Sequence, residues 1–143
     1  MADIVIDTSV IVKWYSAHQE AGFERARVLL HDHARKRGQL HVPLLALYET
    51  GNALRYGSRL SVQEQLRCLT DLFALGLAVH PLTVAGATLA HEVSCLFDVS
   101  FYDACFVALA QELRLSFVTA DERLCRRLSS LPTVCSLASF GDA

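Results

Sequence analysis

Apolar residues cluster along the chain in two patterns. Short runs without alternation, rich in Val, Ile and Leu, are typical of fully buried strands. Such runs occur at residues 4–6, 40–42, 77–80 and 116–119, with a possible fifth at 133–135. Between them, apolar residues recur at the three- and four-residue spacing of helices. This spacing predicts helices from Thr8 or Ser9 to Tyr15, then at about 19–36, 44–56, 62–75, 83–97, 101–113 and 121–128.

Polar residues and glycines mark several of the boundaries. Ser61 and Glu64 have the spacing of a capping box and predict the start of the fourth helix, and Gly76 predicts its end. We expect Gly38 to end the second helix and Gly57 to end the third.

The order of the elements predicts the fold class. Short, non-alternating strands that alternate with helices indicate a parallel sheet with helices on both faces. The 143 residues are the length of one ordinary domain, and no linker, repeat or low-complexity segment divides them. We therefore predict a single α/β domain, a three-layer α/β/α sandwich, over residues 1–143.

Charge limits the classes of partner. The 13 basic and 15 acidic side chains give a formal net charge of −2, whereas a protein that grips nucleic acid mainly through its phosphates is normally basic. The charge balance therefore argues against a generic nucleic-acid binder. It does not argue against a protein that handles phosphates through metal ions.

The cysteines and the N-terminus bear on the compartment. Five cysteines, odd in number, far apart and without a CxxC pair, are expected to be small buried hydrophobic residues in a reducing compartment. The N-terminus lacks the basic segment of a signal peptide, and no apolar run approaches the ~18 residues of a membrane span. We expect a soluble cytoplasmic protein without membrane association.

Functional sites of α/β sheets lie at the carboxyl ends of the strands, and four acidic residues are expected near that edge. Asp7 ends the first predicted strand, Asp121 follows the fourth by two residues, and Asp103 lies in the first turn of a helix. Glu49 lies inside the third helix, with Asn52 one turn further on the same face. Four carboxylates from four distant segments are therefore expected to converge at one edge of the sheet.

Each acid also has a purely structural interpretation. Asp7 and Asp121 are suited to cap the helices that follow them, and Asp103 to complete a capping box that Ser100 begins. Glu49 has the alternative of a solvated helical face. The coincidence of four such roles at one edge favours a shared site.

A shared carboxylate site implies a metal ion. Converging carboxylates repel one another unless a hard divalent cation neutralises them, and a set of oxygen ligands suits Mg²⁺ or Mn²⁺ rather than zinc. Such an ion would activate a water molecule and hold the oxygens of a phosphodiester during its hydrolysis.

Four motifs in register resemble the PIN-domain family, and specifically the VapC-type toxins of toxin–antitoxin pairs. They are Ile-Val-Ile-Asp-Thr-Ser-Val at 4–10, Glu-Thr-Gly-Asn-Ala-Leu at 49–54, Ser-Phe-Tyr-Asp-Ala-Cys-Phe-Val-Ala-Leu-Ala at 100–110 and Phe-Val-Thr-Ala-Asp-Glu-Arg-Leu at 117–124. Each motif is weak alone, but together they follow the family's order and spacing over the whole chain. The resemblance implies a sheet of about five strands in the order 3-2-1-4-5.

The resemblance also implies an activity and partners. It makes the four acids the catalytic metal ligands, or residues that orient them, in an Mg²⁺- or Mn²⁺-dependent ribonuclease that leaves a 5′-phosphate and a 3′-hydroxyl. Polar support is implied for four further residues: Thr8, Ser9, Asn52 and Thr119. Family members usually form homodimers, and a cognate antitoxin inserts a segment, often with an arginine, into the acidic pocket. The alternatives are an RNA-processing PIN nuclease without an antitoxin and a catalytically weak PIN-like module that binds RNA or protein.

RNA must approach this acidic edge across basic residues. Arg123, Arg126 and Arg127 follow Asp121 on the last long helix and are the candidates for phosphate contact. For the basic residues of the second helix we favour a solvated face: Arg25, Arg27, Arg35, Lys36 and Arg37. The neighbouring Trp14 and Tyr15 are expected in the core or at a dimer surface rather than stacked on bases. Asp98 is an additional acid that the family pattern does not require, and it is left outside the site.

Other phosphate-handling classes lack residues that they need. A phosphatase of the haloacid-dehalogenase type needs a second Asp two residues after the first, where Ser9 stands, and a later lysine. A phosphoacceptor receiver domain needs the same lysine, and no lysine follows Lys36. A P-loop enzyme is excluded because the chain has no GxxxxGK[ST] motif.

Overall fold

The elements of the protein are described for residues 1–16 and 21–142 of a computed structural model. The strands are β1 (Ile4–Ile6), β2 (Leu40–Pro43), β3 (Ala78–His80), β4 (Ser116–Thr119) and β5 (Val134–Ser136). The helices in these residues are α1 (Thr8–Trp14), α2 (Phe23–Ala34), α3 (Leu45–Gly57), α4 (Val62–Ala74), α5 (Val84–Phe97), α6 (Phe101–Leu113) and α7 (Glu122–Arg127).

The five strands form one parallel sheet in the order β3-β2-β1-β4-β5. This confirms the predicted fold class and the order that the resemblance implied. Helix α6 packs on α5 and lies against β1, β2 and β4, whereas α1 contacts β4, α2 and α3. Strands β2 and β3 lie on one side of β1 and strands β4 and β5 on the other, so β1 and β4 flank the switch point at which α/β sheets place their ligands.

The core fixes β1 at the centre of the sheet. Ile4, Val5 and Ile6 are at most 1% exposed, and Phe117 of β4 contacts Phe106 of α6 with ring centroids 5.8 Å apart. Burial of a large apolar side chain of this kind contributes about 1.5–3 kcal/mol. The residue that follows β1 is therefore held on a rigid support.

Helix α2 is shorter than predicted. The expected range of about 19–36 begins within residues 17–20, which lie outside the described residues. In the described part the helix begins at Phe23, after Gly22 with a left-handed φ of 83°, and it ends at Ala34.

The prediction that Gly38 ends α2 is wrong. The helix ends before it, and Lys36 takes the left-handed conformation, with φ of 56°. Gly38 serves a different purpose, because a Cβ at this position would lie 2.5 Å from the carbonyl oxygen of Met1. The glycine allows the N-terminal segment to pass close to the chain before β2. By contrast, Ser61 accepts a hydrogen bond from the Glu64 amide and Gly76 has φ of 71°, which confirms both predicted ends of α4.

The expected burial of the cysteines is also wrong. All five are free thiols, Cys95 is exposed, and the other four are only partly buried. Neighbours in a helical sequence point in different directions, so apolar neighbours do not bury a residue between them.

Within residues 1–16 and 21–142, no single helix is long and apolar enough to cross a membrane. Helices α5 and α6 meet the length and composition criteria only as a pair, with a bend of 120° between them.

Candidate metal centre

Asp7 directly follows β1 and precedes the first residue of α1. It is only 7% exposed, and its side chain makes no capping hydrogen bond to the helix. Instead, its Oδ2 accepts hydrogen bonds from the hydroxyls of Ser9 at 2.6 Å and Thr119 at 2.8 Å. Burial raises the pKa of Asp7, and the two hydroxyl donors oppose that rise. The capping interpretation therefore does not account for this carboxylate.

The same two hydroxyls join the β1–α1 junction to the loop after β4. Ser9 Oγ accepts a hydrogen bond from the Ala120 amide at 3.0 Å and lies 3.3 Å from Thr119 Oγ1. Thr119 Oγ1 in turn accepts from the Asp121 amide at 3.0 Å. Parallel pairing of Ile6 with Val118 makes these contacts possible, because it brings the next residue of each strand to the same level. The position of Asp121 is thereby coupled to that of Asp7.

Glu49 lies in α3 and is partly buried. The hydroxyl of Thr8, at the start of α1, donates a hydrogen bond of 2.8 Å to Glu49 Oε1. Burial raises the pKa of Glu49, the Thr8 hydroxyl lowers it, and the charges of Asp7 and Asp103 raise it further. The side chain thus faces the other acids, which contradicts the alternative of a solvated helical face.

Asp103 lies in the first turn of α6 and is partly buried. Ser100 caps this helix by accepting a hydrogen bond of 3.0 Å from the Asp103 amide. Burial raises the pKa of the Asp103 carboxyl, the charge of Asp7 adds to the rise, Ser100 opposes it, and Asp121 adds a smaller increase. The capping role of Ser100 therefore holds while the Asp103 side chain faces the acids.

Asp121 is the one acid for which the capping interpretation is correct. Its Oδ1 accepts a hydrogen bond of 3.0 Å from the Leu124 amide at the start of α7. The residue is exposed, and Oδ2 takes no part in that bond. One oxygen caps the helix, so the other is available to a ligand.

The four predicted acids are linked electrostatically, since the charges of Asp7, Asp103 and Asp121 each raise the pKa of at least one neighbour among them. Among the described residues, no three His, Cys, Asp or Glu side chains stand close enough together, as placed, to hold a metal ion. The donor chemistry still fits Mg²⁺, which needs only one or two direct carboxylates and keeps several waters. A divalent cation would also relieve the mutual repulsion of these acids.

The supporting residues differ in position. Thr8, Ser9 and Thr119 make the hydrogen bonds described above, whereas Asn52 is exposed on α3 and no hydrogen bond in the described part of the chain joins it to the acids. Asn52 lies one turn after Glu49 on α3, and its supporting role stays a prediction.

A polar cleft of about 430 Å³ opens beside Asp103 and Asp121. Arg123 and Arg127 line it, whereas Arg126 is exposed elsewhere on α7. Asp98 holds Arg127 through two hydrogen bonds. The guanidinium donates to the Asp98 carbonyl oxygen at 2.6 Å and to Asp98 Oδ2 at 3.3 Å. Sequence reasoning missed this role of Asp98, because nothing in the local pattern pairs residues 29 positions apart.

The basic residues of α2 and its C-terminal flank lie on a solvated surface, as predicted. Arg25 binds Asp142 at 2.9 Å, and Arg27 and Arg37 lie 3.6 and 3.5 Å from acids of α2. Trp14 and Tyr15 pack against the core, and the indole of Trp14 donates a hydrogen bond of 2.8 Å to the Ala26 carbonyl. None of these contacts leads to the acidic edge.

The four motifs suggested a relationship to the PIN-domain family, and a family model supports it. The family model for the PIN domain matches residues 4–128. The chain belongs to the PIN-domain family. PIN domains are generally nucleases, so the family supports a hydrolase. No curated protein matches the chain significantly.

Solved structures show the same PIN fold at low sequence identity. A toxin–antitoxin complex from Klebsiella pneumoniae is 17% identical, with a TM-score of 0.70 over 94% of this chain and 98% of the other. DNA-bound VapBC from Salmonella typhimurium is 15% identical, with a TM-score of 0.69 over 96% and 99%. VapBC2 from Rickettsia felis, bound to a DNA fragment from its promoter, is 14% identical, with a TM-score of 0.65 over 95% and 97%.

This PIN domain has a second cleft next to the acids that sequence reasoning did not anticipate. It has a volume of about 260 Å³ and lies between the start of α3, the loop from β3 to α5, and α6. Tyr48 and Tyr102, which line it, immediately precede Glu49 and Asp103. A tyrosine directly before Glu49 and another directly before Asp103 were the signal available in the sequence.

Proposed function

We propose that the protein is a metal-dependent endoribonuclease, the toxin of a toxin–antitoxin pair. The observation that carries this proposal is the electrostatic linkage of Asp7, Glu49, Asp103 and Asp121 at the carboxyl edge of the sheet. Acids that are partly buried and raise one another's pKa are typical of a functional site rather than of structural caps. Membership of the PIN family supports the nuclease, and the toxin–antitoxin structures of the same fold support the toxin.

The proposed cofactor is Mg²⁺ or Mn²⁺, which one or two of the four acids would hold directly and the others would hold through bound water: Asp7, Glu49, Asp103 and Asp121. When bound, the ion supplies Lewis-acid polarisation of the scissile phosphate and lowers the pKa of an attacking water. No nucleophilic side chain is required, and the expected products carry a 5′-phosphate and a 3′-hydroxyl.

The residues around the acids position them. Ser9 and Thr119 fix the buried oxygen of Asp7, and Thr8 fixes one oxygen of Glu49, so the carboxylates do not have to be ordered when the substrate binds. Arg123 lines the polar cleft beside Asp103 and is proposed to contact a phosphate. Arg127 is a weaker candidate because Asp98 already holds it.

Two protein partners are part of the proposal: a cognate antitoxin and a second copy of the chain. An arginine of the antitoxin would find complementary charge at the four acids. Large apolar residues exposed along α4 support a protein-binding surface: Val62, Leu66 and Phe73. The proposed place of action is the cytoplasm, where RNA is available.

The test is cleavage of RNA with Mg²⁺ or Mn²⁺. Removal of a ligand charge by Asp7→Asn or Asp103→Asn is expected to lower the rate at least about 100-fold, the scale of lost transition-state electrostatics. Asp98→Asn is the matched control, because it removes an exposed acid from the same cleft and should retain cleavage. Cleavage that survives both ligand changes, or persists in excess EDTA, would contradict the metal-nuclease proposal.

The toxin role is tested separately. Expression of the parent in a bacterial host is expected to arrest growth, and Asp7→Asn is expected to abolish the arrest. A small gene immediately adjacent, whose product restores growth, would identify the antitoxin. Cleavage without growth arrest and without such a gene would identify an RNA-processing PIN nuclease instead.

A further inference from the structure

The apolar cleft beside the acids exposes two aromatic side chains to solvent. Tyr48 is 70% exposed and Tyr102 is 62% exposed, and both line the cleft. At about 260 Å³ the cleft is slightly smaller than the usual range of about 300–1,000 Å³ for small-ligand sites. Its size suits one planar ring system rather than a folded peptide segment.

The cleft adjoins the acidic edge through two helices. Helix α3 contributes Tyr48 to the cleft and, one residue later, Glu49 to the acids. Helix α6 does the same with Tyr102 and Asp103. Cys105, two residues after Asp103 on the same helix, also lines the cleft.

Polar side chains, including that of Thr83, also stand among the apolar walls. Glu112 and His80 both line the cleft, and the charge of Glu112 opposes the burial that lowers the pKa of His80. Gly86 leaves room for the carboxylate, because a Cβ there would lie 2.8 Å from Glu112 Oε1. The cleft therefore combines aromatic surfaces with a hydrogen-bond acceptor at a defined place.

We propose that this cleft binds one unpaired nucleobase of the RNA substrate, next to the phosphate at the acids. Tyr48 and Tyr102 supply stacking surfaces, as aromatic side chains do in proteins that bind single-stranded RNA. Glu112 accepts a hydrogen bond from an exocyclic amino group, so cytosine, adenine and guanine are favoured over uracil. The inference rests on the proposed ribonuclease function and names a specificity subsite for it.

The two clefts together define a path for the strand. The first turn of α6 lies between them: Tyr102 lines the apolar cleft, and Asp103 lines the polar cleft that contains Arg123. A base in the apolar cleft therefore places its phosphate near Asp103 and the neighbouring phosphate towards Arg123. Glu112 repels phosphate, which favours entry of the base rather than the backbone.

The experiment measures RNA affinity in the cleavage-deficient Asp7→Asn protein. Short single-stranded RNAs carry one abasic position moved along the sequence, and one position is expected to weaken binding about 5- to 150-fold, the scale of one stacked base. Tyr48→Leu and Tyr102→Leu should weaken binding of intact RNA similarly and remove the effect of the abasic position. Tyr48→Phe should retain both.

Two further variants sharpen the result. Tyr56→Leu is the matched control, since Tyr56 is 75% exposed on the same helix but does not line the cleft. Glu112→Gln should reduce the preference for amino-bearing bases over uracil while folding is retained. Equal RNA affinity of Tyr48→Leu, Tyr56→Leu and the Asp7→Asn protein would overturn the proposal.

The outcomes also separate this proposal from the ribonuclease proposal. If the parent cleaves RNA but no abasic position matters, only the base subsite is wrong. If the parent neither binds nor cleaves RNA, both are wrong. If Tyr48→Leu changes the sedimentation mass but not RNA affinity, the cleft is a protein interface and the subsite is again wrong.

Discussion

Asp7 combines two properties that oppose each other. It is almost completely buried, which favours the neutral carboxyl, yet its hydrogen-bond partners are hydroxyl donors, which favour the charged form. The net rise in its pKa means that ionised Asp7 reduces the stability of the folded state near neutral pH. Glu49 and Asp103 face the same conflict, with added repulsion from their acidic neighbours.

We therefore expect Asp7→Asn to stabilise the metal-free protein near neutral pH while it removes cleavage. Stabilisation of about 0.5–2 kcal/mol is typical of changes that relieve a conflict at a functional site. The sign follows from proton linkage. The folded-state pKa of Asp7 is raised, so its neutral carboxyl stabilises the folded protein. This stabilisation is fully present below the pKa of the unfolded state and is lost as pH rises through the pKa of the folded state. Urea unfolding in EDTA measures the difference.

The pH dependence and a control complete this test. The advantage of Asp7→Asn should disappear as the pH is lowered below the ordinary pKa of an aspartate, where the parent carboxyl is protonated in both states. Asp98→Asn, which changes an exposed acid, should leave the free energy of unfolding nearly unchanged. A neutral-pH stability of Asp7→Asn below that of the parent would mean that the hydroxyl donors outweigh the burial.

Single residues of the site differ in how far the sequence reveals them. Asp7, Glu49 and Asp121 could be selected because each follows a strand or lies in the helix after one, and Asp103 because it lies in the first turn of a helix. Ser9 is two positions from Asp7, but Thr119 is 112 positions away and meets it only through strand pairing, so Thr119 was selected through the family resemblance alone. Capping and site roles are also not exclusive, since Asp121 caps α7 with one oxygen only.

At the scale of elements, short buried strands were predictable and one helix end was not. Strand β4 has the predicted bounds, and the predicted run at 77–80 differs from β3 by one residue. Such runs are typical of strands with apolar side chains on both faces, and β1 and β4 are buried in this way, whereas Val79 of the edge strand β3 is 40% exposed. Gly38 misled the prediction because a glycine that ends a helix and one that permits close backbone approach look alike in a sequence.

The two uses of glycine predict opposite effects of alanine. Gly38→Ala places a Cβ 2.5 Å from the Met1 carbonyl oxygen and 3.0 Å from that of Ala2, both backbone atoms, so we expect a loss of about 1–3 kcal/mol. Gly57, the last residue of α3, has open space around it, and Gly57→Ala should stabilise by about 0.4–1 kcal/mol. Thermal and urea unfolding of both variants measure this, and shifts of the same sign would contradict the assignment.

At the scale of the molecule, the hydrophobic pattern predicts a parallel sheet but not the order of its strands. That order came from the resemblance, and the site depends on it, because the order 3-2-1-4-5 puts β1 beside β4. The two clefts could not be predicted, since their walls come from loops and helix ends that the pattern leaves unplaced. The net charge of −2 also hides the local concentration of acids at one edge.

This architecture predicts that a divalent metal stabilises the folded protein. The four acids come from segments that are far apart in the sequence, so the ion has a site in the folded state and none in the unfolded chain. At ten times its Kd, a ligand of this kind adds about 1.4 kcal/mol, or a few degrees in Tm. Thermal unfolding of the parent with increasing Mn²⁺ or Mg²⁺ measures the shift.

Controls distinguish metal binding from general screening of the acids. Sodium chloride at matched ionic strength screens exposed charges but does not ligate, so it should produce a smaller shift. Asp103→Asn should lose most of the metal-dependent shift, whereas Asp98→Asn should retain it, although both residues line the same cleft. An equal metal-dependent shift of Tm in the parent and in Asp103→Asn would mean that the ion binds elsewhere on the molecule. The four acids would then have no ion to neutralise them.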